Sequence, residues 1–374
     1  MLEVDLKEFG AGIAKLISKG NLNRAETKAM FDQLMVNTQP DLQQGAFLAA
    51  LTAKGETAAE IAGAWEAIYE GDTVKVVPQT PEPVIENSGT GMDSFKTFNV
   101  STAAAIIGAA GGNYMARHGA RALTSSCGTI DVVEALGVDV ECEVEVVKRS
   151  IECVGIGIFN GMSAKTHPQA LFRILSQIRF GTTLNISASL ANPAMPRRGV
   201  RGVYARDLVL PVVEVMKEIG YQKALVIHGS NGYGKGMDEI SIFGETFIAE
   251  LNGQNIHSYS ITPEIFGSNG AEEAEVYPLG DSRAEAIRLI EILSGKRQGA
   301  DYQMVCANAA PIFYVSGQSK NLKEGYGLSE SIIRSGRALE KLREWVRAQN
   351  SDSRTALQKF ESLVNTTQLS LTKY

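Results

Sequence analysis

The chain has 374 residues, a length that suits two domains better than one hydrophobic core. Its hydrophobic content of 44% and charged content of 21% are those of a soluble globular protein, and a net charge of −6 excludes a general basic surface for nucleic acid. No apolar run approaches the roughly 20 residues of a membrane span. The N-terminal MLEVDLKEFG lacks a signal-peptide pattern, and the four cysteines show no metal or disulfide spacing, which predicts a cytoplasmic protein.

The first 72 residues have the pattern of a small helical domain. Apolar side chains recur at helical spacing, and Asn23 followed by Glu26 has the form of a capping box that opens a helix. A second amphipathic stretch, at about 165–190, has the same spacing and is expected to join this domain. We therefore predict an all-helical unit for residues 1–72.

From residue 73 onward, a Pro-containing connector is followed by alternating strand and helix patterns. Short apolar runs predict strands at Val84–Ile85, Tyr114–Ala116, Ile156–Phe159, Val203–Tyr204 and Ala224–Ile227. Helical patterns lie between and after them, at Val100–Gly112, from about 129, from about 143, after Asp207, at 167–180, at 282–294 and at 326–348. Such alternation predicts an α/β fold in which residues 73–374 form a larger domain with a mainly parallel central sheet.

The stretch Asn87–Thr102, NSGTGMDSFKTFNVST, predicts an anion site between a strand and a helix. Its glycines let the backbone approach a ligand, and the first N–H groups of the next helix have no partner inside that helix. Asn99, Ser101 and Thr102 lie at the expected helix start, where they can reach a phosphate. Asp93 would repel a phosphate, so it suggests sugar hydroxyls or a metal ion nearby. The alternative is an ordinary glycine-rich turn.

Two further polar clusters follow predicted strands, at the sheet edge where open α/β folds bind ligands. The first begins at Arg117 as RHGARALTSSCGT and offers two arginines and several hydroxyls to a phosphate or diphosphate, with His118 placed to polarise a substrate. Solvated surface side chains are the alternative for this cluster. The second is the pair Asp238–Glu239 after GSNGYGKG, and beside phosphate sites two such carboxylates favour Mg²⁺.

Together these motifs resemble the anthranilate phosphoribosyltransferases, which share their fold with the pyrimidine nucleoside phosphorylases. GTGMDSFKTFNVST is similar to the family's GTGGD…T-NVST element, and RHGAR is similar to its KHGNR. DVVEALGV, the NPA at Asn192–Ala194 and GMDEIS also match. The matches occur in order over nearly the whole chain, which makes the resemblance far more specific than any one glycine loop.

The resemblance implies a homodimer with a hinge between its domains. It also implies Mg²⁺-dependent transfer of phosphoribose from phosphoribosyl diphosphate to anthranilate or a related aromatic amine, as in tryptophan biosynthesis, with no nucleic acid or membrane as partner. The implied substrate-binding residues are Gly89, Thr90, Gly91, Asp93, Thr97, Asn99, Ser101, Thr102, Arg117, Gly119, Thr124 and Thr129. His118 and Arg121 are the implied catalytic residues. The implied Mg²⁺ ligands are Ser101, Asp238 and Glu239.

Several positions depart from the family's pattern. Met92 replaces a glycine, which brings a side chain into the site and restricts positive φ there. Ala120 replaces the asparagine that contacts anthranilate in the family. Arg117 replaces a lysine, which changes shape but not charge, and Cys127 replaces a serine. The donor site is therefore expected to be largely kept and the acceptor site altered.

The helix after His167–Pro168 also departs from the pattern at the acceptor site. Gln177 stands where the family has the arginine that grips the anthranilate carboxylate. Arg173, one helical turn earlier, shares its face and is predicted to hold the carboxylate instead, whereas Arg179 lies about 200° round the helix. We expect weak binding of anthranilate or binding through Arg173, with another aromatic amine as the better acceptor. Alternatively, a helix shifted by a residue or two retains an ordinary anthranilate site.

Two other functions stay open. A nucleoside phosphorylase of the same fold would use Lys96 and Ser101 in its phosphate-binding element. The other open function is that of a degenerate relative that binds nucleic acid and has lost catalysis. The Arg117–His118 loop and the Asp238–Glu239 pair favour the transferase, and the net charge of −6 disfavours nucleic acid.

Overall fold

A computed structural model describes residues 3–121, 127–178, 180–267 and 271–369 of the chain. These residues form a small helical unit and a larger α/β unit with a mainly parallel sheet, which confirms the predicted fold class. Within the described ranges, no helix is both long enough and apolar enough to cross a membrane.

The helical unit combines the first four helices with two later ones. They are α1 (Glu3–Ile17), α2 (Arg24–Met35), α3 (Asp41–Lys54), α4 (Ala58–Gly71), α8 (Leu171–Gln177) and α9 (Leu184–Leu190). The predicted capping box of Asn23 and Glu26 opens α2. At the centre, the ring of Phe47 packs edge-on against Phe9 and Phe31, with centroid distances of 5.5 and 5.2 Å. One buried apolar cluster includes side chains from all six helices.

Among the described residues, eight strands form one sheet. They are β1 (Ile85–Gly89), β2 (Met115–Gly119), β3 (Ile156–Asn160), β4 (Arg198–Gly202), β5 (Lys223–Ser230), β6 (Gly236–Met237), β7 (Thr246–Asn252) and β8 (Asn255–Ile261). The order is β3-β2-β1-β4-β5-β7-β8, with β6 paired to the end of β5. Strands β1 to β5 are parallel, and β6, β7 and β8 join antiparallel. The carboxyl ends of the parallel strands therefore meet at one edge.

The remaining helices cover the sheet. They are α5 (Val100–Ala110), α6 (Thr129–Ala135), α7 (Val144–Val154), α10 (Val209–Glu218), α11 (Ser282–Leu293), α12 (Ala300–Ser316), α13 (Leu322–Arg334), α14 (Arg337–Ala348) and α15 (Ser353–Leu369). Helix α5 is buried along most of its length because its small residues let α12 approach. A Cβ on Gly108 would lie 2.8 Å from Ile312, and one on Gly111 would lie 2.3 Å from Phe313. The glycine turn therefore leads into α5, a helix that is closely packed against α12.

Some elements differ from the sequence prediction. The fourth strand is Arg198–Gly202 rather than Val203–Tyr204. Within the helical pattern predicted at 167–180, the helix observed among the described residues is α8, Leu171–Gln177. The long helix predicted at 326–348 is two helices, because Gly336 takes a left-handed φ of 77° between them. Helix α12 and the β7–β8 hairpin were not predicted.

Asp72, directly after α4, fixes the start of α8. Its carboxylate accepts N–H hydrogen bonds from Gln169, Ala170 and Leu171 at 2.5, 3.0 and 2.8 Å. Ala170 holds the N-cap position of α8 and has no side chain that could do this. The backbone oxygen of Asp72 also lies 2.9 Å from Nδ1 of His167. A residue of the helical unit therefore supplies the cap of a helix formed much later in the chain.

Candidate active site

A cleft of about 260 Å³ lies between the α/β unit and helices α8 and α9. One side consists of the turn after β1, the loop after β2 and the two residues after β6. The opposite side consists of side chains from α8 and α9. The three polar clusters singled out from the sequence therefore meet at one edge of the sheet.

The glycine turn is fastened to the residue pair after β6. The N–H of Gly91 donates to the Asp238 carboxylate at 2.6 Å, and the N–H of Thr90 donates to the carbonyl of Gly202 at 3.1 Å. Gly91 and Met92 both have left-handed φ angles, 67° and 69°, so position 92 has the conformation that glycine prefers. A Cβ on Gly202 would lie 1.6 Å from the backbone oxygen of Asp238, so this approach requires glycine.

Four side chains form what we call the carboxylate end of the cleft: Asp93, Ser101, Asp238 and Glu239. Burial and the neighbouring Asp93 raise the pKa of Asp238 to about 7. Burial and Asp238 raise the pKa of Glu239 well above its ordinary value, while the Ser101 hydroxyl hydrogen-bonds to it. Burial also raises the pKa of Asp93, although Lys96 opposes this. Two adjacent buried carboxylates repel each other unless they share a proton or a cation.

The donor set of the carboxylate end fits Mg²⁺. In the described part of the chain, no basic side chain forms an ion pair with Asp238 or Glu239. No group of three or more His, Cys, Asp and Glu side chains there could hold a metal ion alone. Mg²⁺ commonly takes only one or two carboxylates and completes its shell with substrate phosphates and water. The carboxylate end therefore suits a metal that arrives with a phosphorylated ligand.

Two basic side chains at the cleft are paired with acids. Nζ of Lys96 lies 2.8 Å from the Asp93 carboxylate. Arg121 forms ion pairs with three carboxylates, which hold its pKa above the ordinary range. They belong to Asp131, Glu134 and Glu141. Arg121 is thereby held in one position on the loop after β2.

Arg117 lies deeper, beside the carboxylate end. It is almost fully buried and donates to the hydroxyl of Thr102 at 2.6 Å. Its Nε has no hydrogen-bond partner among the described residues, and burial lowers the pKa of its guanidinium to about 10. Asn99, directly before α5, makes no cap bond with that helix and lines the cleft beside it. Both residues line the cleft, and both carry N–H groups.

His118 is half of a buried histidine pair. Its Nε2 lies 3.1 Å from Nε2 of His167, and its Nδ1 lies 3.4 Å from the backbone oxygen of Ser189. Because His167 Nδ1 faces the carbonyl of Asp72, we assign its proton to Nδ1, so its Nε2 accepts from His118. Burial and the second ring lower the pKa of His118 to about 3. Burial also lowers the pKa of His167, so both rings are neutral at pH 7.

Four apolar side chains form what we call the apolar wall: Met92, Leu175, Leu184 and Ala188. Leu184 and Ala188 are four residues apart on α9 and so lie on one helix face. Met92 reaches across from the glycine turn, because a Cβ on Gly181 would lie 2.0 Å from its terminal methyl. The side chain of Met92, which replaces a glycine of the family's pattern, therefore packs against the helical unit.

Most of the predicted site residues line the cleft. They are Gly89, Thr90, Gly91, Asp93, Thr97, Asn99, Ser101, Arg117, His118, Gly119, Arg121, Thr129, Asp238 and Glu239. Thr102 is a correction, since it is fully buried behind Arg117 and does not line the cleft. Thr124 and Arg179 lie outside the described residues.

Arg173 is the second correction. Its guanidinium donates to the backbone oxygen of Leu34 and to the Gln44 side chain, at 2.9 and 3.0 Å, so it lies against the helical unit. Gln177 is exposed and does not line the cleft either. Leu175, two residues or about 200° round α8 from Arg173, is the side chain that faces the cleft.

Beneath the cleft lies a buried ion pair that sequence reasoning missed. Arg201 on β4 is paired with Glu86 on β1, and it also donates to the hydroxyls of Ser88 and Ser189 at 2.6 and 3.0 Å. These bonds join β1, β4 and α9 under the site. Strand β4 reads RGVRG, which has neither alternating nor continuous apolar residues, so no strand pattern pointed to it.

Comparisons with known proteins give the site its context. Residues 81–339 match the model of the glycosyl transferase family a/b domain, and residues 12–70 match that of its helical bundle domain. An anthranilate phosphoribosyltransferase from Rubrobacter xylanophilus is 36% identical over 351 residues, which are 93% of this chain and 97% of the relative. The chain belongs to the anthranilate phosphoribosyltransferase family. As a member it is a glycosyltransferase of the pentosyltransferase class.

Other members of the anthranilate phosphoribosyltransferase family agree over most of the chain. The enzyme from Methanosarcina acetivorans is 38% identical over 344 residues, 91% of this chain and 89% of its own length. The crystal structure of the Thermus thermophilus enzyme superposes with a TM-score of 0.80 at 30% identity, covering 90% of this chain and 99% of that one. The Saccharomyces cerevisiae enzyme in complex with PRPP and Mg has the same fold, with a TM-score of 0.77 at 23% identity over 91% and 97% of the two chains.

Proposed function

We propose that the protein catalyses the Mg²⁺-dependent transfer of phosphoribose from phosphoribosyl diphosphate (PRPP) to the nitrogen of anthranilate or a related aromatic amine, as in tryptophan biosynthesis. The observation that carries the proposal is the meeting of the glycine turn, the buried Arg117 and the Asp238–Glu239 pair in one cleft. The activity named for relatives such as that of Rubrobacter xylanophilus supports the donor and the acceptor class.

The donor is proposed to bind between the glycine turn and the loop after β2. Residues that line this part of the cleft with N–H, hydroxyl or amide groups face its diphosphate and ribose. They are Gly89, Thr90, Gly91, Thr97, Asn99, Ser101, Gly119 and Thr129. Arg117 lines the cleft and offers the charge of its guanidinium to a phosphate, and a charge-assisted hydrogen bond of this kind is among the stronger ones.

Ser101, Asp238 and Glu239 are proposed to hold Mg²⁺, which would neutralise charge on the diphosphate as it leaves. Burial, and next a neighbouring carboxylate, raise the pKa values of both acids, and this supports the role because a bound cation offsets the cost of burying negative charge as well as the repulsion. Asp93, which is paired with Lys96, is proposed to accept hydrogen bonds from the ribose hydroxyls.

The chain's residues position the reactants rather than attack the sugar. Breaking the bond between C1 of ribose and diphosphate develops positive charge on the sugar and negative charge on the leaving group, so aligned donors and an oriented amine suffice. His118 is proposed to line the donor site as a neutral ring held by His167, and Arg121 to act from a position fixed by its three carboxylates. Enclosure between two units limits hydrolysis of PRPP.

The protein is further proposed to act as a homodimer in the cytoplasm. Exposed apolar side chains on the helical unit, including Ile17, Val36 and Leu42, support an interface there. The absence of disulfides among the described residues agrees with a reducing compartment. Light scattering during gel filtration tests the dimer, and a monomeric mass at micromolar protein would contradict it.

The function is tested by incubating the protein with PRPP, Mg²⁺ and a panel of aromatic amines, and measuring diphosphate release and the N-phosphoribosyl product. We expect release that requires both amine and Mg²⁺. A parallel incubation with nucleosides and inorganic phosphate tests the phosphorylase alternative, for which the Lys96–Asp93 pair beside Ser101 is the favouring observation. Phosphorolysis without amine transfer would replace the proposal.

A further inference from the structure

The ion pair of Arg201 and Glu86 lies inside the sheet, beneath the cleft. The two side chains are 0% and 2% exposed, on the adjacent parallel strands β4 and β1. Parallel strands of this kind usually carry apolar residues, because helices cover both faces of the sheet. A buried ion pair is also weak evidence for stability, since the cost of removing two charges from water offsets most of their attraction. The further contacts of the pair are therefore the informative feature.

The guanidinium of Arg201 connects two serines that line the cleft. Its Nη1 donates to the hydroxyl of Ser88 at 2.6 Å and to the hydroxyl of Ser189 at 3.0 Å. Ser88 lies near the end of β1, directly before the glycine turn, whereas Ser189 lies on α9. Arg201 does not line the cleft itself. It therefore acts on the two sides of the cleft through these hydroxyls.

Glu86 fixes the end of α9 by a second route. Its other carboxylate oxygen accepts from the Asn192 amide at 3.3 Å, and the same amide donates to the backbone oxygen of Ala116 on β2 at 2.9 Å. Asn192 follows the last residue of α9 by two positions. The backbone oxygen of Ser189 lies 3.4 Å from Nη2 of Arg201. The ion pair and its partners thus hold the C-terminal end of α9 against the central strands.

The two sides that Arg201 connects meet different reactants in the proposed reaction. The glycine turn after Ser88 is proposed to bind PRPP. Helix α9 contributes Leu184 and Ala188 to the apolar wall, a surface on which an aromatic ring packs well. The distance between the turn and the helix therefore sets the distance between C1 of the ribose and the attacking nitrogen. A displacement of about 1 Å in such an arrangement can lower a rate by roughly a hundredfold.

We infer that Arg201 is a positioning residue, which aligns the amine with the donor through Ser88 and Ser189. The inference rests on the proposed function and adds to it a residue that touches neither substrate. In the reaction the amine lone pair forms a bond to C1 of the ribose while the C1–oxygen bond to diphosphate breaks. Diphosphate leaves with that electron pair, and the proton displaced from nitrogen passes to water. When the amine is misaligned, water attacks C1 in its place and the product is ribose 5-phosphate.

The test uses Arg201→Lys, which keeps a positive charge beside Glu86 but replaces the planar fork of N–H groups by one ammonium group. Calorimetry measures PRPP affinity with Mg²⁺. Steady-state assays with the best amine of the panel measure kcat and the amount of N-phosphoribosyl product per diphosphate released. We expect PRPP affinity within about threefold of wild type, kcat lower by roughly tenfold or more, and a product ratio that falls from close to one to about one half or less.

The serines separate alignment from the stability of the ion pair. Ser88→Ala and Ser189→Ala each remove one hydroxyl and leave the pair in place, so each should lower kcat and the product ratio by less than Arg201→Lys does. The double serine variant should approach Arg201→Lys. Lys54→Met is the control, because it breaks another buried ion pair, Lys54–Glu60 at 2.8 Å in the helical unit. It should lose stability and keep the product ratio.

The outcomes separate the inference from the proposed function. A wild-type kcat and product ratio in Arg201→Lys would overturn the inference. An equal fall of the ratio in Lys54→Met would also overturn it, because lost stability would then explain the effect. If Arg201→Lys does not fold, the double serine variant decides, and wild-type kinetics in that variant would overturn the inference. In each case wild-type transfer stands, whereas a wild-type protein that forms no product with any amine would reject the proposed function and the inference with it.

Discussion

The carboxylate end and the apolar wall bound the same cleft but are built from different parts of the chain. The carboxylate end is formed by residues that follow β1 and β6 and by one residue of α5. Its buried acids have raised pKa values and lie close to the glycine turn. Three of the four residues of the apolar wall lie on α8 and α9, and their side chains belong to the buried apolar cluster of the helical unit. Met92 connects the two regions, since it lies in the glycine turn and packs against Gly181.

The difference teaches how one scaffold separates two tasks. Buried like charges are costly unless a cation is bound, so the carboxylate end is suited to one kind of ligand and tolerates little change. An apolar wall discriminates by shape and by the absence of polar partners, and single substitutions can redirect it. We therefore expect changes at the carboxylate end to abolish donor binding and changes at the wall to alter acceptor preference.

The largest effect is expected from removing the charges of the carboxylate end. The double change Asp238→Asn and Glu239→Gln keeps shape but removes the charges that attract Mg²⁺, so PRPP affinity should fall by about a hundredfold, or roughly 3 kcal/mol. Titration calorimetry with and without Mg²⁺ measures this. Glu214→Gln, on the exposed face of α10, is the control. Unchanged Mg²⁺-dependent affinity in the double variant would remove the metal assignment.

A smaller effect is expected where the backbone carries the carboxylate end. In Gly202→Ala the new methyl would overlap the backbone of Asp238, so the protein should lose about 1–3 kcal/mol of unfolding free energy and also bind PRPP more weakly. Urea unfolding and calorimetry measure the two effects. Gly45→Ala, on α3 with no atom near its added methyl, should be neutral or stabilising. A fully stable Gly202→Ala protein would contradict the close approach.

A third effect concerns pH and the histidine pair. The folded state binds the His118 proton only near pH 3, whereas the unfolded chain binds it near pH 6.5. Stability from this group is therefore complete above pH 6.5 and is lost as pH falls, by about 1.4 kcal/mol per pH unit. His118→Gln should flatten the slope of unfolding free energy between pH 6.5 and 5 by about that amount. An unchanged slope in the His118→Gln protein would refute the assignment.

The smallest effect on activity is expected from Arg173. Arg173→Ala loses its two hydrogen bonds to the helical unit, which should cost about 1–2 kcal/mol of stability. It should leave KM for any amine unchanged, because the guanidinium does not reach the cleft. Denaturation and steady-state kinetics together check this. A raised KM for anthranilate in this variant would show that the guanidinium moves into the cleft on binding.

The sequence was informative where chemistry is local. The glycines and hydroxyls after Ile85 marked a strand, a turn and a helix start, and Asp238–Glu239 marked an acidic pair, because each needs only neighbouring residues. The β7–β8 hairpin also has a local sequence signal, since its two-residue loop begins with Gly253 at a φ of 62°. The fold class followed from the alternation of such local patterns.

Other features depend on tertiary contacts and could not be predicted. Helical spacing placed Arg173 and Gln177 on one face of a helix, but which face meets the cleft depends on how α8 packs against α2 and α3. Thr102 has a phosphate-binding residue type, yet it is covered by Arg117. The role of Gly202 depends on the backbone of a residue 36 positions later, as the overlap with Asp238 shows.

The cap that Asp72 places on α8 has a consequence for the order of folding. A seven-residue helix is not stable alone, and this one receives its first hydrogen-bond acceptor from a residue 97 positions earlier. Closing so long a loop is slow, so α8 should form only after α4 is in place. This part of the apolar wall is therefore assembled late, and the amide protons of α8 should exchange with solvent as one unit with the end of α4.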